Sequence, residues 1–382
     1  MTVRILSLII SVLLIFYCNI STCFAFETSA KSAIVINTLT GEVVYEKNAH
    51  QKLPMASTTK IMTAICAIEN GDLNEVVKVH PKAVGVEGSS MYLGHGEQLP
   101  LKDLIYGLML SSGNDAAVAI AMHISKSVEE FANLMNKTAE KIGVKNTSFK
   151  NPNGLDDDDG HYTTAYDLAM ITRYGMQNPE FSKVVGTGSV KVNWQGRDYP
   201  RVLNNHNKLL KMYDGATGVK TGFTKKSGRC LVSSAKRNGL EFVAVTLNAP
   251  DDWNDHMKML DLAFESYKSK EIIKKDEYLK NLKVLNGNTQ IISAVSETSF
   301  SVPVKDGADS RIKLKYNIPD TTEAPVGFGK VLGNVEVYQG DAFLGKVNAV
   351  SKNSVAYVEP ETFLKNISKI FRTWILMNRV AC

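Results

Sequence analysis

Hydrophobic and polar positions divide the chain into four stretches of different texture. The first stretch is an apolar run from Ile5 to Tyr17, preceded by Arg4 and followed by Cys23-Phe24-Ala25. A short basic start, an apolar middle and small residues before a cut form the pattern of a secretory signal peptide, so residues 1–25 are expected to be removed after Ala25. The run is short for a membrane span, which leaves a retained anchor as the lesser alternative. A lipid-modified Cys23 is a weaker one, because Thr22 is awkward just before such a cysteine.

The second stretch, residues 26–268, opens strand, turn, strand. Ala33-Ile34-Val35-Ile36 is one run, Thr40-Gly41 marks the turn and Val43-Val44-Tyr45 returns. Helical spacing then takes over. Ile61, Ala64, Ile65 and Ile68 share a face, and Leu104, Leu108, Ala116, Ala119 and Ile120 continue similar patterns. Strand signals return at Val219–Phe223, Arg229–Ala235 and Phe242–Leu247, and a helix from about Trp253 to Tyr267 closes the region. Strands at both ends and helices between predict an α+β domain whose antiparallel sheet is built from both ends of the segment.

Residues 269–360 are predicted to be a small separate β domain. Short alternating runs at Ser299–Val304, Ile312–Tyr316, Val331–Tyr338 and Val347–Val358 are separated by Gly, Asn and Asp. It carries no catalytic constellation and reads as a spacer or support. The last stretch, 361–382, is an amphipathic helix. Phe363, Ile367, Ile370, Phe371, Trp374 and Met377 line one face, with Lys365, Lys369, Arg372 and Arg379 opposite. That arrangement suits a membrane interface, docking on the protein's own core being the alternative.

Composition narrows the class without deciding it. The chain has 382 residues, is 44% hydrophobic and 22% charged, and carries a formal net charge of +5. These are ordinary values for globular domains. The mild positive excess is spread along the chain and points to anionic envelope surfaces rather than nucleic acid. Cys66, Cys230 and Cys382 have no metal-like spacing, and no disulfide framework, metal site or cofactor is expected.

Candidate chemistry starts at Ser57-Thr58-Thr59-Lys60, where the apolar helix begins. Residues three apart share a helix face, so Ser57 and Lys60 point together. A serine hydroxyl needs a base, and lysine is one only when burial or a nearby cation keeps it neutral. The same spacing recurs at Ser233–Lys236 and Ser310–Lys313, but in strand-like stretches where the two side chains point to opposite faces. Ser112-Gly113-Asn114 follows an apolar run. There Ser112 would relay a proton and Asn114 would bond a substrate carbonyl. Lys220-Thr221-Gly222 lies in a strand whose edge an extended peptide can pair with. Lys220 would attract a free carboxylate, Thr221 would donate to it, and Gly222 removes a side chain where substrate must lie. Lys226-Ser227-Gly228 imitates this triplet but reads as a hairpin turn. His161 reads as structural, and Asp156–Asp159 as a solvated loop.

The order Ser-x-x-Lys, Ser-x-Asn, Lys-Thr-Gly is the signature of penicillin-recognising serine enzymes. Pro54–Ala64, Leu110–Ala117, Asn151–Leu155, Gly160–Ala165 and Gly218–Thr224 resemble the low-molecular-weight D-alanyl-D-alanine carboxypeptidases. The resemblance is strong from about Ser32 to Tyr267. It implies a β-lactamase/transpeptidase-like fold, a β-rich module and a terminal anchor. It implies attack by Ser57 on the bond between the terminal D-alanines of a peptidoglycan stem peptide, with Lys60 as base and Ser112 as relay. Lys220 and Thr221 would hold the carboxylate, and the backbone N–H groups of Ser57 and Phe223 would form the oxyanion hole. Penicillin and other β-lactams would acylate Ser57. The enzyme would be exported to the outer face of the cytoplasmic membrane. A serine β-lactamase is the nearest rival, but no convincing Glu-x-x-Leu-Asn segment lies between the second and third motifs. A non-catalytic wall-binding role is the other alternative.

Overall fold

The computed structural model describes residues 27–155, 159–305 and 311–379. The expected signal peptide, Asp156–Asp158, Ser310 and Cys382 lie outside them.

The catalytic half begins with β1 (Ser32–Asn37) and β2 (Val43–Lys47). A 3-10 turn, Ala56–Thr59, runs directly into α1 (Lys60–Asn70). A small hairpin pairs β3 (Val76–Lys78) with β4 (Gln98–Pro100). Helices α2 (Leu101–Leu110), α3 (Asn114–Ser125), α4 (Val128–Ile142), α5 (Ala165–Met176) and α6 (Pro179–Gly186) follow. Next come the hairpin β5 (Ser189–Val192) and β6 (Arg201–Asn204), and the one-turn helix α7 (Leu209–Met212). Strands β7 (Ala216–Thr224), β8 (Gly228–Arg237) and β9 (Leu240–Leu247) and helix α8 (Asp252–Ser266) complete it.

The principal sheet has the order β2-β1-β9-β8-β7 and is antiparallel throughout. The first and last strand runs therefore do meet, Ser32 opposite Leu247 and Asn37 opposite Phe242. Alternation along β1 explains why both faces are buried. Ile34 and Ile36 join the core under α1–α6, whereas Ala33 and Val35 face the core under α8. Val243 and Val245 against Phe242 and Ala244 repeat the division on β9. β7 is one of the two edge strands, and the Lys226-Ser227-Gly228 segment is indeed the turn into β8.

The C-terminal half contains β10 (Tyr267–Ile273), β11 (Tyr278–Leu285), β12 (Ile291–Ser296), β13 (Phe300–Lys305), β14 (Ile312–Asn317), β15 (Thr321–Glu323), β16 (Val331–Gln339) and β17 (Ala342–Ser351). Six of them form one sheet, and β10 pairs with β13. The sequence reading placed no strand at β10, and it carried the last run to Val358, whereas β17 ends at Ser351. Beyond it Val355 makes only an isolated bridge to Val326. α9 (Pro360–Arg379) carries Ile367, Ile370, Phe371, Trp374 and Ile375 exposed. The side chains of Phe363, Met377 and Arg379 lie outside those described. Among the described residues no helix is long and apolar enough to cross a membrane.

Candidate active site

The chain brings its three motifs to one cleft of about 590 Å³, bordered by Ser57, Ser112, Thr221, Gly222 and Phe223. Ser57 sits in the tight turn ahead of α1, and Lys60 is the first residue of that helix, so the i, i+3 expectation holds through a 3-10 turn. Lys60 is fully buried, with Nζ 2.8 Å from Ser57 Oγ. Nζ also donates to Asn114 Oδ1 at 2.7 Å and to the Asn153 carbonyl at 2.7 Å. These two oxygens can only accept. A neutral amine has two hydrogens, so both are spent on them and its lone pair is left facing the Ser57 hydroxyl. Burial holds the Lys60 pKa well below the ordinary lysine range. The Lys220 charge adds to this and Asp115 opposes it. Geometry and electrostatics thus agree on a lysine able to accept the serine proton.

The supports of this arrangement come from distant segments. Gly154, at φ +86°, lies against the turn, where a Cβ would meet Ala56 O at 2.0 Å. That close approach explains the glycine in Asn151–Leu155, whose Asn153 carbonyl reaches Lys60. His161 accepts from the Lys150 amide at Nδ1 (3.0 Å), so its Nε2 carries the proton toward Thr59 Oγ1 at 2.8 Å. Its place is beneath the turn, as the structural reading expected.

Two side chains have partners beyond those expected of them. Asn114 was expected to meet a substrate carbonyl. Its Oδ1 accepts from Lys60 and its Nδ2 donates one hydrogen to Glu87 O at 2.5 Å, which leaves the second N–H of the amide for a substrate carbonyl. Lys220 was expected to meet a carboxylate directly. It is 1% exposed, and Nζ donates to Thr221 O at 2.8 Å. Burial pushes its pKa down to about 7. The pKa values of Lys60 and His206 are lowered by burial first and by the Lys220 charge second. Ser112 lines the cleft at φ +58°, but its hydroxyl is not among the partners of Lys60 Nζ described above.

Gly222 is explained by contact. A Cβ there would sit 3.1 Å from the Ser57 amide nitrogen, 3.2 Å from Ala56 Cβ and 3.2 Å from Met55 O. Edge strand β7 therefore passes directly beside the Ser57 backbone, with Phe223 next along it, 67% exposed at the rim.

Sequence reasoning missed His206, Lys208, Arg229, Asp252 and Trp253, all of which border the cleft. Arg229 Nη2 donates to Asp252 Oδ1 at 2.7 Å and Nε to the same oxygen at 3.0 Å. Isolated polar residues in loops and strand ends carry no periodic signal, so nothing marked them beforehand. Among the described residues bordering the cleft there is no glutamate of the kind a class A β-lactamase uses to position water.

Comparison with known proteins agrees with this geometry. Residues 20–251 match the family model described as D-alanyl-D-alanine carboxypeptidase, and residues 267–357 match that of the penicillin-binding protein 5 C-terminal domain. The D-alanyl-D-alanine carboxypeptidase DacF of Bacillus subtilis is 35% identical over 345 residues, covering 88% of each chain. DacC of Escherichia coli is 30% identical, covering 81% of this chain and 80% of its own. Penicillin-binding protein 5 from Haemophilus influenzae superposes with a TM-score of 0.62 at 26% identity, over 87% of this chain and 98% of that one. With its fold, its cleft and its relatives in agreement, the chain belongs to the D-alanyl-D-alanine carboxypeptidase family, as a serine-type hydrolase acting on peptidoglycan.

Proposed function

We propose that Ser57 is the nucleophile and Lys60 its general base in removal of the terminal D-alanine from stem pentapeptides. The observation that carries this reading is the fully buried Lys60 Nζ, 2.8 Å from Ser57 Oγ, in surroundings that lower its pKa. Ser57 Oγ bonds to the carbonyl carbon of the penultimate D-alanine as its proton passes to Lys60 Nζ. The oxyanion is held by the backbone N–H groups of Ser57 and Phe223. Donors of this kind contribute about 3–4 kcal/mol each in other enzymes. The C–N bond then breaks, and the departing amine takes the proton from Lys60 with Ser112 as relay. Water attacks the ester, Lys60 accepts its proton, and Ser57 recovers its hydrogen. Thr221, with the field of Lys220 behind it, receives the substrate carboxylate. Asn114 acts as a positioning residue for Lys60.

The test is mass spectrometry of a stem pentapeptide incubated with the enzyme. Loss of one D-alanine by wild type, and none by Ser57→Ala, is expected. Release by a folded Ser57→Ala variant would overturn the assignment. Penicillin is expected to label wild type and not this variant.

The ends of the chain support export and attachment to the outer face of the cytoplasmic membrane. The apolar run after Arg4 fits a cleaved signal, and the exposed apolar face of α9 lies opposite exposed Lys365, Lys369 and Arg372. Such a helix lies in the interface rather than crossing it. Cosedimentation with anionic vesicles, lost on truncation before Pro360, is the expected result. Equal sedimentation of both forms would refute it.

A further inference from the structure

A second cavity, of about 760 Å³, lies outside the catalytic cleft. It is bordered by Tyr92, His95, Glu97, Trp194, Gln195 and Arg197, with two glycines and no aliphatic side chain. Its large apolar groups are thus aromatic, set among hydrogen-bonding groups.

The backbone at Tyr92 and the Trp194 ring are held firmly. Tyr92 stands at φ +62° and is 75% exposed, an unfavourable combination for a bulky residue unless its neighbours impose it. Here they do. The Met91 and Leu93 amides and the Ser90 hydroxyl all donate to the Asp115 carboxylate, at 3.0, 3.0 and 2.7 Å. The Tyr92 amide donates to Ser90 Oγ at 2.8 Å, and Arg201 donates to the Tyr92 carbonyl at 3.1 Å. Arg201 is itself buried in a two-bond pair with Glu97 and packs on the Trp194 ring, 4.7 Å from its centroid. The Gln98 amide donates to Gln195 Oε1 at 2.7 Å, which fixes the β5–β6 hairpin tip. The pocket is therefore preformed.

The cavity is also joined to the chemistry. Ser89 borders the catalytic cleft, and its carbonyl accepts from the Asn114 amide at 2.7 Å. Tyr92 follows three residues later, a reach of at most about 10 Å. In the proposed substrate four residues separate the scissile carbonyl from the sugar, about 14 Å when extended. A sugar ring has an apolar C–H face and a rim of hydroxyl and amide groups. It matches the exposed Tyr92 ring and the edge of Trp194, whose ring Arg201 and Arg197 lie over, with His95 and Gln195 beside them, better than an aliphatic peptide side chain does.

We infer that this pocket is a glycan subsite, which binds an N-acetylhexosamine ring of the peptidoglycan strand while the attached stem peptide enters the catalytic cleft. The inference rests on the carboxypeptidase reading, and two measurements separate their failures. The first compares kcat/KM for disaccharide pentapeptide and free pentapeptide. Wild type should prefer the sugar-bearing substrate at least fivefold. Tyr92→Asn, whose side chain tolerates the left-handed backbone, should bring the ratio close to one. A wild-type ratio of one, or the same ratio in both proteins, overturns the subsite. The second titrates a peptide-free N-acetylglucosamine tetrasaccharide by NMR. Binding should be saturable in wild type and weakened at least fivefold in Tyr92→Asn and Arg197→Ala. Binding without any D-alanine release would keep the subsite and sink the reaction; release without binding or sugar preference would do the reverse.

Discussion

Substituting Asn114→Asp tests the electrostatic core of the site. It replaces the amide oxygen 2.7 Å from Lys60 Nζ with a carboxylate. A unit charge pair at that distance interacts by about 6 kcal/mol at an effective dielectric near 20, equivalent to about four pK units. Lys60 would then hold its proton at neutral pH, and its lone pair would no longer face Ser57. Each unit of upward shift beyond the assay pH removes about tenfold of the neutral amine. The assay is the rate of acylation by a fluorescent penicillin between pH 5 and 10, with a thermal melt to check folding. Acylation at pH 7 should fall more than 100-fold, and the acid limb should move up by at least two units. Asn114→Leu removes the acceptor without adding charge, so it should slow the reaction without that upward move. A folded Asn114→Asp protein whose acid limb stays at the wild-type pH would refute the role given to Lys60.

Three further outcomes are expected. Gly222→Ala crowds three atoms at 3.1–3.2 Å that have no flexible end to yield; acylation should drop about 10- to 100-fold, as for other sub-ångström displacements in catalytic sites, while the melting temperature changes little. Lys220 has a folded pKa near 7 against 10.5, so its burial costs about 4–5 kcal/mol at and below pH 7, and that cost disappears as pH rises to 10.5. Lys220→Met should therefore raise stability at pH 7 by about 1–3 kcal/mol after the lost bond to Thr221 O is counted, abolish D-alanine release, and show no stability gain near pH 10.5. His256 is buried between Ser233 and Thr246 with its pKa pushed down to about 3. The unfolded chain takes up this proton first, so stability should be lost as pH falls from about 6.5 toward 3, by up to about 4–5 kcal/mol, and His256→Asn should flatten that acid slope in denaturant titrations.

What sequence made visible was whatever repeats with a period or sits at a fixed spacing. The apolar run Ala33–Ile36 foretold a strand, and Ser57 and Lys60 were paired by helix geometry. β10 was hidden because five of its seven residues, Lys268 to Ile272, are exposed or only half-buried, and only Tyr267 and Ile273 anchor it. The partners of Asn114 and Lys220 were hidden for another reason. Both residues lie in motifs that the chain reads as substrate-facing, but each hydrogen-bonds within the protein once neighbouring segments close over it. Arg229 and Asp252 are 23 residues apart, and their pairing depends on how β8 meets α8. No local pattern encodes that.

Lys60 gains its two accepting oxygens from residues 54 and 93 positions away. Until both have arrived, the lysine of a partly folded chain stays hydrated and protonated, and Ser57 is inert. The β-lactam label is then a clock for the closing of these two loops, whose entropy is lost before their contacts are made. A refolding chain sampled with penicillin should acquire label only after both segments have docked, well after helical circular dichroism has returned.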